Sequence, residues 1–438
     1  MRILWLKSDL LLPLDKGGKL RTWHLMRHLA ERHEITYLAF ADPDQMRDGR
    51  LDPAIADGMR EVAARVEAIP RSDPPKGSWR FYADAAAHVV DPLPYAVGKY
   101  RSPEYRRALE SLLATEAFDL VVCDFLFPAV NLPRTLPCPA VIFTHNVEAE
   151  IWRRHAETRT GAAGLLYRMQ YNRMLRYEGR TLARFDGVLA VSDADAATFA
   201  RLYPDAIRRP AHVVPTGVDT NYFAASASDP RSRRLVFTGS MDWLPNEDAM
   251  AYFCREILPI VRAEEPEVQL SIVGRAPTPA VQRLADAHIE VTGRVDDVRP
   301  YMQDAAVYIV PLRIGGGTRL KIFEAMAMGK AVVSRTVGAE GLPVTSGEHV
   351  MLADEPRSFA RAVVRLLRDV ERRRQLERAA RELVVEKYDW SAVSGALDQA
   401  LRSIADCGLR NADSIHDCRS IRNQSAIPNP QSAMTRVP

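Results

Sequence analysis

The chain has 438 residues, more than one ordinary hydrophobic core supports, so two domains are expected. Apolar residues make up 47% and charged residues 26%, with a net charge of only +3; this is the mix of a soluble globular protein and excludes nucleic-acid binding through bulk charge. No run reaches the ~18 apolar residues of a membrane span, and the five scattered cysteines show no C-x-x-C pair or metal-ligand spacing, which predicts a reducing, cytoplasmic setting.

At the amino terminus, residues 1–6 form an apolar run interrupted by Lys7 and Asp9. The run is too short and too charged for a signal peptide and reads as a first strand. Further apolar runs at 35–40, 119–123, 140–144, 187–191 and 211–214, with a weaker one near 66–69, predict strands. Helical periodicity lies between them, as at 19–31 and 104–115. After a polar break at 224–233 the alternation restarts, with strands expected at 234–238, 268–273, 289–292, 306–310, 331–334 and 350–352. Two βαβ series imply an α/β chain of two doubly wound, Rossmann-like domains facing across a cleft, residues 1–225 and 232–386. A last helix follows Trp390 and runs to about 403; from 405 to 438 the polar, Pro-containing, near-repetitive sequence predicts a disordered tail.

The most informative segment is Gly315-Gly316-Gly317-Thr318-Arg319-Leu320-Lys321, between a predicted strand and a predicted helix. Glycines let backbone approach a ligand, and a helix start offers unpaired N–H groups and partial positive charge, a natural diphosphate site. Arg319 and Lys321 in the first turn oppose the helix dipole unless an anion is bound. Leu320, Phe323 and Ala327 form the expected buried stripe, leaving Lys321 and Glu324 on a neighbouring face. A carboxylate there can accept from a ribose diol. An ordinary turn with a solvated Lys–Glu pair is the plain alternative.

Residues 315–330, continuing as Ala331-Val332-Val333-Ser334, resemble the donor-binding signature of glycosyltransferase family 4, a retaining family with the GT-B fold. The resemblance implies that Glu324 holds the nucleotide ribose. The family often has a second glutamate eight positions earlier; here that position is Gly316, as in a branch associated with exopolysaccharide sugar transferases. In many members the loop after the first strand of the second domain carries an Arg and a Lys for the diphosphate. Here that loop reads Gly239-Ser240-Met241-Asp242-Trp243-Leu244-Pro245-Asn246, so the charge shifts to Arg319 and Lys321, with Gly239 and Ser240 offering backbone and hydroxyl donors. Asn246-Glu247-Asp248 reads as cap-type residues at a helix start.

The resemblance further implies that the loops at Gly274 and Arg294 cover the nucleobase, and that Gly17-Gly18, before the helix 19–31, lie near the donor phosphates. His145, in Thr144-His145-Asn146, is similar to the family histidine beside the transferred sugar; the alternative makes Thr144 or Asn146 a helix cap. The catalytic set is then His145, Arg319 and Lys321. The donor-binding set is Gly17, Gly18, Gly239, Ser240, Gly274, Arg294, Gly315, Gly316, Gly317, Thr318 and Glu324. The segment 387–403, opened by Lys387-Tyr388-Asp389-Trp390-Ser391, resembles the family's element that crosses back to the first domain.

No cofactor or metal is expected. Ser192-Asp193-Ala194-Asp195 reads as a helix cap rather than a metal motif, and Asp296-Asp297 as the start of another helix. The implied substrates are a nucleoside diphosphate sugar and a glycan acceptor, which in many relatives is polyprenyl-diphosphate-linked. Between Trp152 and Arg184 stand eight arginines and two glutamates among apolar residues, a pattern for a long core helix with a solvated arginine face or for contact with the inner face of a membrane. Two rivals remain at this level, a GT-B sugar-nucleotide 2-epimerase and a catalytically silent binding protein.

Overall fold

The computed structural model describes residues 1–15, 17–72, 77–79, 91–207, 209–225, 229–314 and 320–406. Gly315, Gly316, Gly317, Thr318, Arg319 and the tail from 407 therefore lie outside the described residues.

The first domain contains β1 (Arg2–Lys7), β2 (Glu34–Ala41), a small hairpin of β3 (Met46–Arg47) and β4 (Arg50–Leu51), then β5 (Arg65–Pro70), β6 (Leu120–Asp124), β7 (Ala140–Phe143), β8 (Gly187–Ala190) and β9 (His212–Val213). The second contains β10 (Arg234–Thr238), β11 (Gln269–Val273), β12 (Ile289–Gly293), β13 (Val307–Val310), β14 (Ala331–Ser334) and β15 (Met351–Leu352). All pairings within the two large sheets are parallel. Strand orders are β5-β2-β1-β6-β7-β8-β9 and β12-β11-β10-β13-β14-β15. In each, connectivity reverses once, between β1 and β6 and between β10 and β13; ligands of doubly wound sheets bind beyond the strand ends at such points.

Covering both faces of a sheet makes its strands continuous apolar runs. In β1, Ile3 and Trp5 pack on one face and Leu4 and Leu6 on the other. The first face is completed from the far end of the chain. Trp390, Val393, Leu397, Leu401 and Ile404, at helical spacing along the helix 390–406, lie in one core with Ile3, Trp5, Val122 and Val141. Ala405 and Asp406 belong to this helix, so the expected tail boundary at 405 falls too early.

Two chain crossings join the domains, and they are tied to each other. Val218 N–H donates to Tyr388 O at 2.8 Å, Trp390 N–H to Val218 O at 3.3 Å, and Thr220 bonds the Asp389 carboxylate. The Trp390 ring stacks on His24 at 5.0 Å. It also fills the space where a Cβ on Gly217 would fall, 2.5 Å from the indole.

Candidate functional site

At the switch point of the first sheet, Asp124 ends β6 beside Lys7, which ends β1. The carboxylate is fully buried and collects four donors. Lys7 Nζ (2.8 Å), Thr22 Oγ1 (2.7 Å) and Trp5 Nε1 (3.1 Å) meet Oδ2, and His145 Nε2 lies 2.7 Å from Oδ1. Burial opposes its charge, but Lys7 and His145 hold the carboxyl well below the usual carboxylate range. A carboxylate only accepts, so Nε2 of His145 carries the proton and Nδ1 remains an acceptor.

His145 is itself almost fully buried, and that burial pushes its pKa down to about 4 despite Asp124, so the imidazole is neutral at physiological pH. Phe125 stacks on it at 4.0 Å. To do so Phe125 adopts φ of +82°, a left-handed conformation that a bulky residue holds only at a cost. Gly18 leaves room at the imidazole: a Cβ there would sit 3.9 Å from Nδ1. Gly17 and Gly18 are the first two residues of the helix Gly17–Ala30, inside it rather than before it. Arg21, one turn on, is buried over the Phe143 ring and donates to Val214 O; burial lowers its pKa to about 9.

Neither Thr144 nor Asn146 caps the helix Glu148–Thr158. Thr144 Oγ1 donates to Leu189 O, and the helix start is satisfied by Glu178, which accepts from Glu148 N–H (2.9 Å) and Ala149 N–H (3.1 Å). The Ser192 side chain does cap its helix, accepting from Asp195 N–H. Asp297 folds back on Arg299 just ahead of the helix Arg299–Asp304. His145, Asp193, Arg154 and Thr216 of the first domain share a cleft of 600 Å³ with Phe323 and Leu342 of the second.

In the second domain, β10 delivers Thr238 and Gly239 to the switch point beside β13. They line a cavity of 230 Å³ with Trp243, Leu312, Leu320, Lys321 and Glu324. Three predicted residues, Gly239, Lys321 and Glu324, are thus brought together. Lys321 Nζ bonds Asn246 Oδ1 at 2.9 Å and stands 4.2 Å from the Phe237 ring centroid. A Cβ on Gly239 would lie 2.7 Å from Asn246 Nδ2 and 2.9 Å from that ammonium, so any side chain there would push both aside. Burial raises the Glu324 pKa to about 7, with Lys321 pulling the other way. Leu320 turns into the cavity; the buried side of the helix Leu320–Ala327 is instead Ile322, Phe323, Ala325, Met326 and Ala327.

Three readings change on contact with this geometry. Asn246 is not a cap, because it lies inside the helix Leu244–Tyr252, where its amide links Ser240 O to Lys321. The Gly239 N–H is spent on Val273 O at 3.0 Å, so it is not offered to a ligand. The Ser240 hydroxyl is likewise engaged, donating to Asp242 and accepting from Arg275. Gly274 packs on Gly239, and a Cβ there would fall 1.7 Å from Gly239 O. Arg294 is exposed and lines neither cavity.

The stretch around 152–184 is two helices rather than one, Glu148–Thr158 and Gly161–Leu182, packed together. Leu165 and Leu166 are exposed. Arg168, Arg176 and Arg180 are exposed and have no carboxylate partner among the described residues. No described helix is long and apolar enough to cross a membrane.

Residues 16–222 match the family model described as Glycosyltransferase Family 4, and residues 232–369 match the one described as Glycosyl transferases group 1. The phosphatidyl-myo-inositol mannosyltransferase of Mycobacterium tuberculosis is 33% identical over 241 residues, covering 51% of this chain and 61% of the relative. An alpha-maltose-1-phosphate synthase of Mycolicibacterium smegmatis is 26% identical over 250 residues, 50% of this chain and 64% of that one. The match thus spans less than two thirds of these relatives. Among solved structures, sucrose-phosphate synthase from Thermosynechococcus elongatus aligns over 93% of this chain and 100% of its own, with TM-score 0.63 and 16% identity. HepE of Anabaena, solved with UDP and glucose, aligns over 92% of this chain and 100% of its own, with TM-score 0.58 and 15% identity.

Proposed function

We propose that this chain, a family 4 glycosyltransferase by its two family matches and its GT-B fold, moves a sugar from a nucleoside diphosphate to a hydroxyl of a lipid-linked glycan, with retention, in surface polysaccharide synthesis. One observation carries this reading. The helix Leu320–Ala327 turns Lys321 and Glu324 into the cavity at the second switch point and Phe323 into the interdomain cleft that His145 also lines.

In this reading Glu324 accepts from the nucleotide ribose. Lys321, together with Arg319 and the glycine-rich sequence 315–318, carries the charge that grows on the departing diphosphate. His145 offers Nδ1 to a hydroxyl of the transferred sugar, and its pKa of about 4 makes it a poor base. The leaving phosphate then takes the acceptor proton on the face it departs from. No metal ion is needed where cations and helix N–H groups hold the diphosphate. The nucleotide ligand of HepE and the lipid in the mannosyltransferases' name support a nucleotide-sugar donor and a lipid-borne acceptor.

Incubation with a panel of nucleoside diphosphate sugars and a lipid-linked acceptor is expected to yield one glycosylated product, its anomeric configuration retained by NMR. A donor altered without acceptor would replace this reading with epimerisation, and absence of any nucleotide binding would replace it with a silent scaffold.

The unpaired arginines of the helix Gly161–Leu182 belong, in this reading, to the inner face of a membrane. Each basic residue near an anionic surface contributes about 1 kcal/mol. Replacing Arg168, Arg176 and Arg180 together by serine is therefore expected to weaken binding to phosphatidylglycerol vesicles by about 10²-fold in a sedimentation assay. Equal binding by the variant would remove membrane contact from this helix.

A further inference from the structure

We propose that Arg275, at the carboxyl end of β11, supplies a guanidinium to the donor diphosphate; this rests on the donor-site reading above. Among the described residues the donor cavity holds one cation, Lys321, and one carboxylate, Glu324. This described part of the lining does not by itself offset the charge of a diphosphate. Two neutral donors nearby are already engaged, the Gly239 N–H by Val273 and the Ser240 hydroxyl by Asp242 and Arg275.

Arg275 is already at this loop. Its Nε donates to Ser240 Oγ at 2.8 Å, and its two terminal nitrogens make no hydrogen bond among the described residues. Its backbone is fixed on the same loop by Met241 N–H donating to Arg275 O at 2.9 Å, while Gly274 N–H donates to Gly293 O at 3.2 Å. The next residue, Ala276, holds φ of +51°, a left-handed turn that alanine adopts at a cost. The neighbouring arginines are committed elsewhere: Arg313 forks onto Asp248, and Arg335 lies beside Asp354. A guanidinium anchored through Nε with its outer edge open is the geometry that grips phosphate oxygens in pairs. The same Ser240 oxygen it touches sits on the residue whose carbonyl holds Asn246, and through Asn246, Lys321. Arg275, in the loop after β11, and Lys321, on the helix Leu320–Ala327, therefore both reach the Gly239–Ser240 loop.

The test is calorimetric titration of the full chain and its Arg275→Ala and Arg275→Lys variants with UDP, GDP, uridine and guanosine, at low and high salt. Arg275 is exposed and makes one side-chain hydrogen bond among the described residues, so the variants are expected to melt as the parent does. Arg275→Ala should weaken the bound nucleoside diphosphate by about 10- to 100-fold, the range of charge-assisted hydrogen bonds. It should leave the matching nucleoside within twofold and flatten the salt dependence, and Arg275→Lys should recover part of the loss. Diphosphate affinity within twofold of the parent overturns the proposal. An equal loss for diphosphate and nucleoside also overturns it, by moving Arg275 to the base. A parent chain that binds neither diphosphate instead refutes the donor-site reading on which this proposal stands.

Discussion

Replacing Lys321 by alanine is expected to lower turnover by about 10²- to 10³-fold, the scale set by removing one preorganised charge at a developing anion. Its ammonium is held in place before any ligand arrives, by Asn246 Oδ1 at 2.9 Å, the Phe237 ring, and the Cβ-free surface of Gly239. A fixed cation needs no reorganisation at the moment the sugar–phosphate bond breaks. The loss should fall mainly on kcat, with the acceptor KM near that of the parent. The Asn246 bond lost has a charged donor, worth about 1.5–3 kcal/mol, so a modest drop in the melting curve should accompany the much larger loss of turnover. Steady-state kinetics beside a thermal melt decides: turnover within threefold of the parent removes Lys321 from the chemistry.

The second large effect concerns stability. Changing Asp124 to alanine leaves the Lys7 ammonium buried with no carboxylate partner, which is expected to cost about 3–5 kcal/mol. The Lys7→Met, Asp124→Leu pair removes both charges and should regain most of that stability, since apolar residues of similar volume replace buried ion pairs well. Activity should not return with it, because His145 would lack the acceptor that fixes its Nε2 proton. The pH sign follows from the depressed carboxyl. Its stabilisation is fully present above the unfolded value of ~3.9 and is lost only as pH falls toward the lower folded value. The gap between parent and Asp124→Ala should then stay open from pH 5 to 9 in denaturant titrations. A gap that closes within that range would show that the ion pair is not its source.

Much of the architecture was legible because buried parallel strands are unbroken apolar runs, and their ends fell within a residue or two of the prediction. The hairpin Met46–Leu51 was not legible, since two-residue strands carry no period to read. Within the site, Gly239, Lys321 and Glu324 could be placed because local motif and helical spacing fix their neighbourhood. Asp124 and Lys7 could not, because their partnership spans 117 residues and each looks locally like a polar residue ending a strand. The usable signal was position: both end strands that flank the switch point. Glu178 was hidden for a similar reason. A glutamate in an arginine-rich helix reads as a surface charge until the helix start 30 residues earlier is seen to rest on it. Arg275 sits in the loop that the resemblance gives to the nucleobase, and the packing of Gly274 on Gly239 is what brings it against Ser240.

The first sheet is covered on one face by residues 390–406, and this sets the order in which a ribosome can finish the protein. Domains generally fold as they emerge, the amino-terminal one first. Here the first domain leaves the exit tunnel with the Ile3, Trp5, Val122 and Val141 face only partly covered, by Trp23, Met26 and Leu29 of its own helix, and it stays so while the whole second domain is synthesised. The domain that is translated first is therefore completed last, by the helix made after its neighbour.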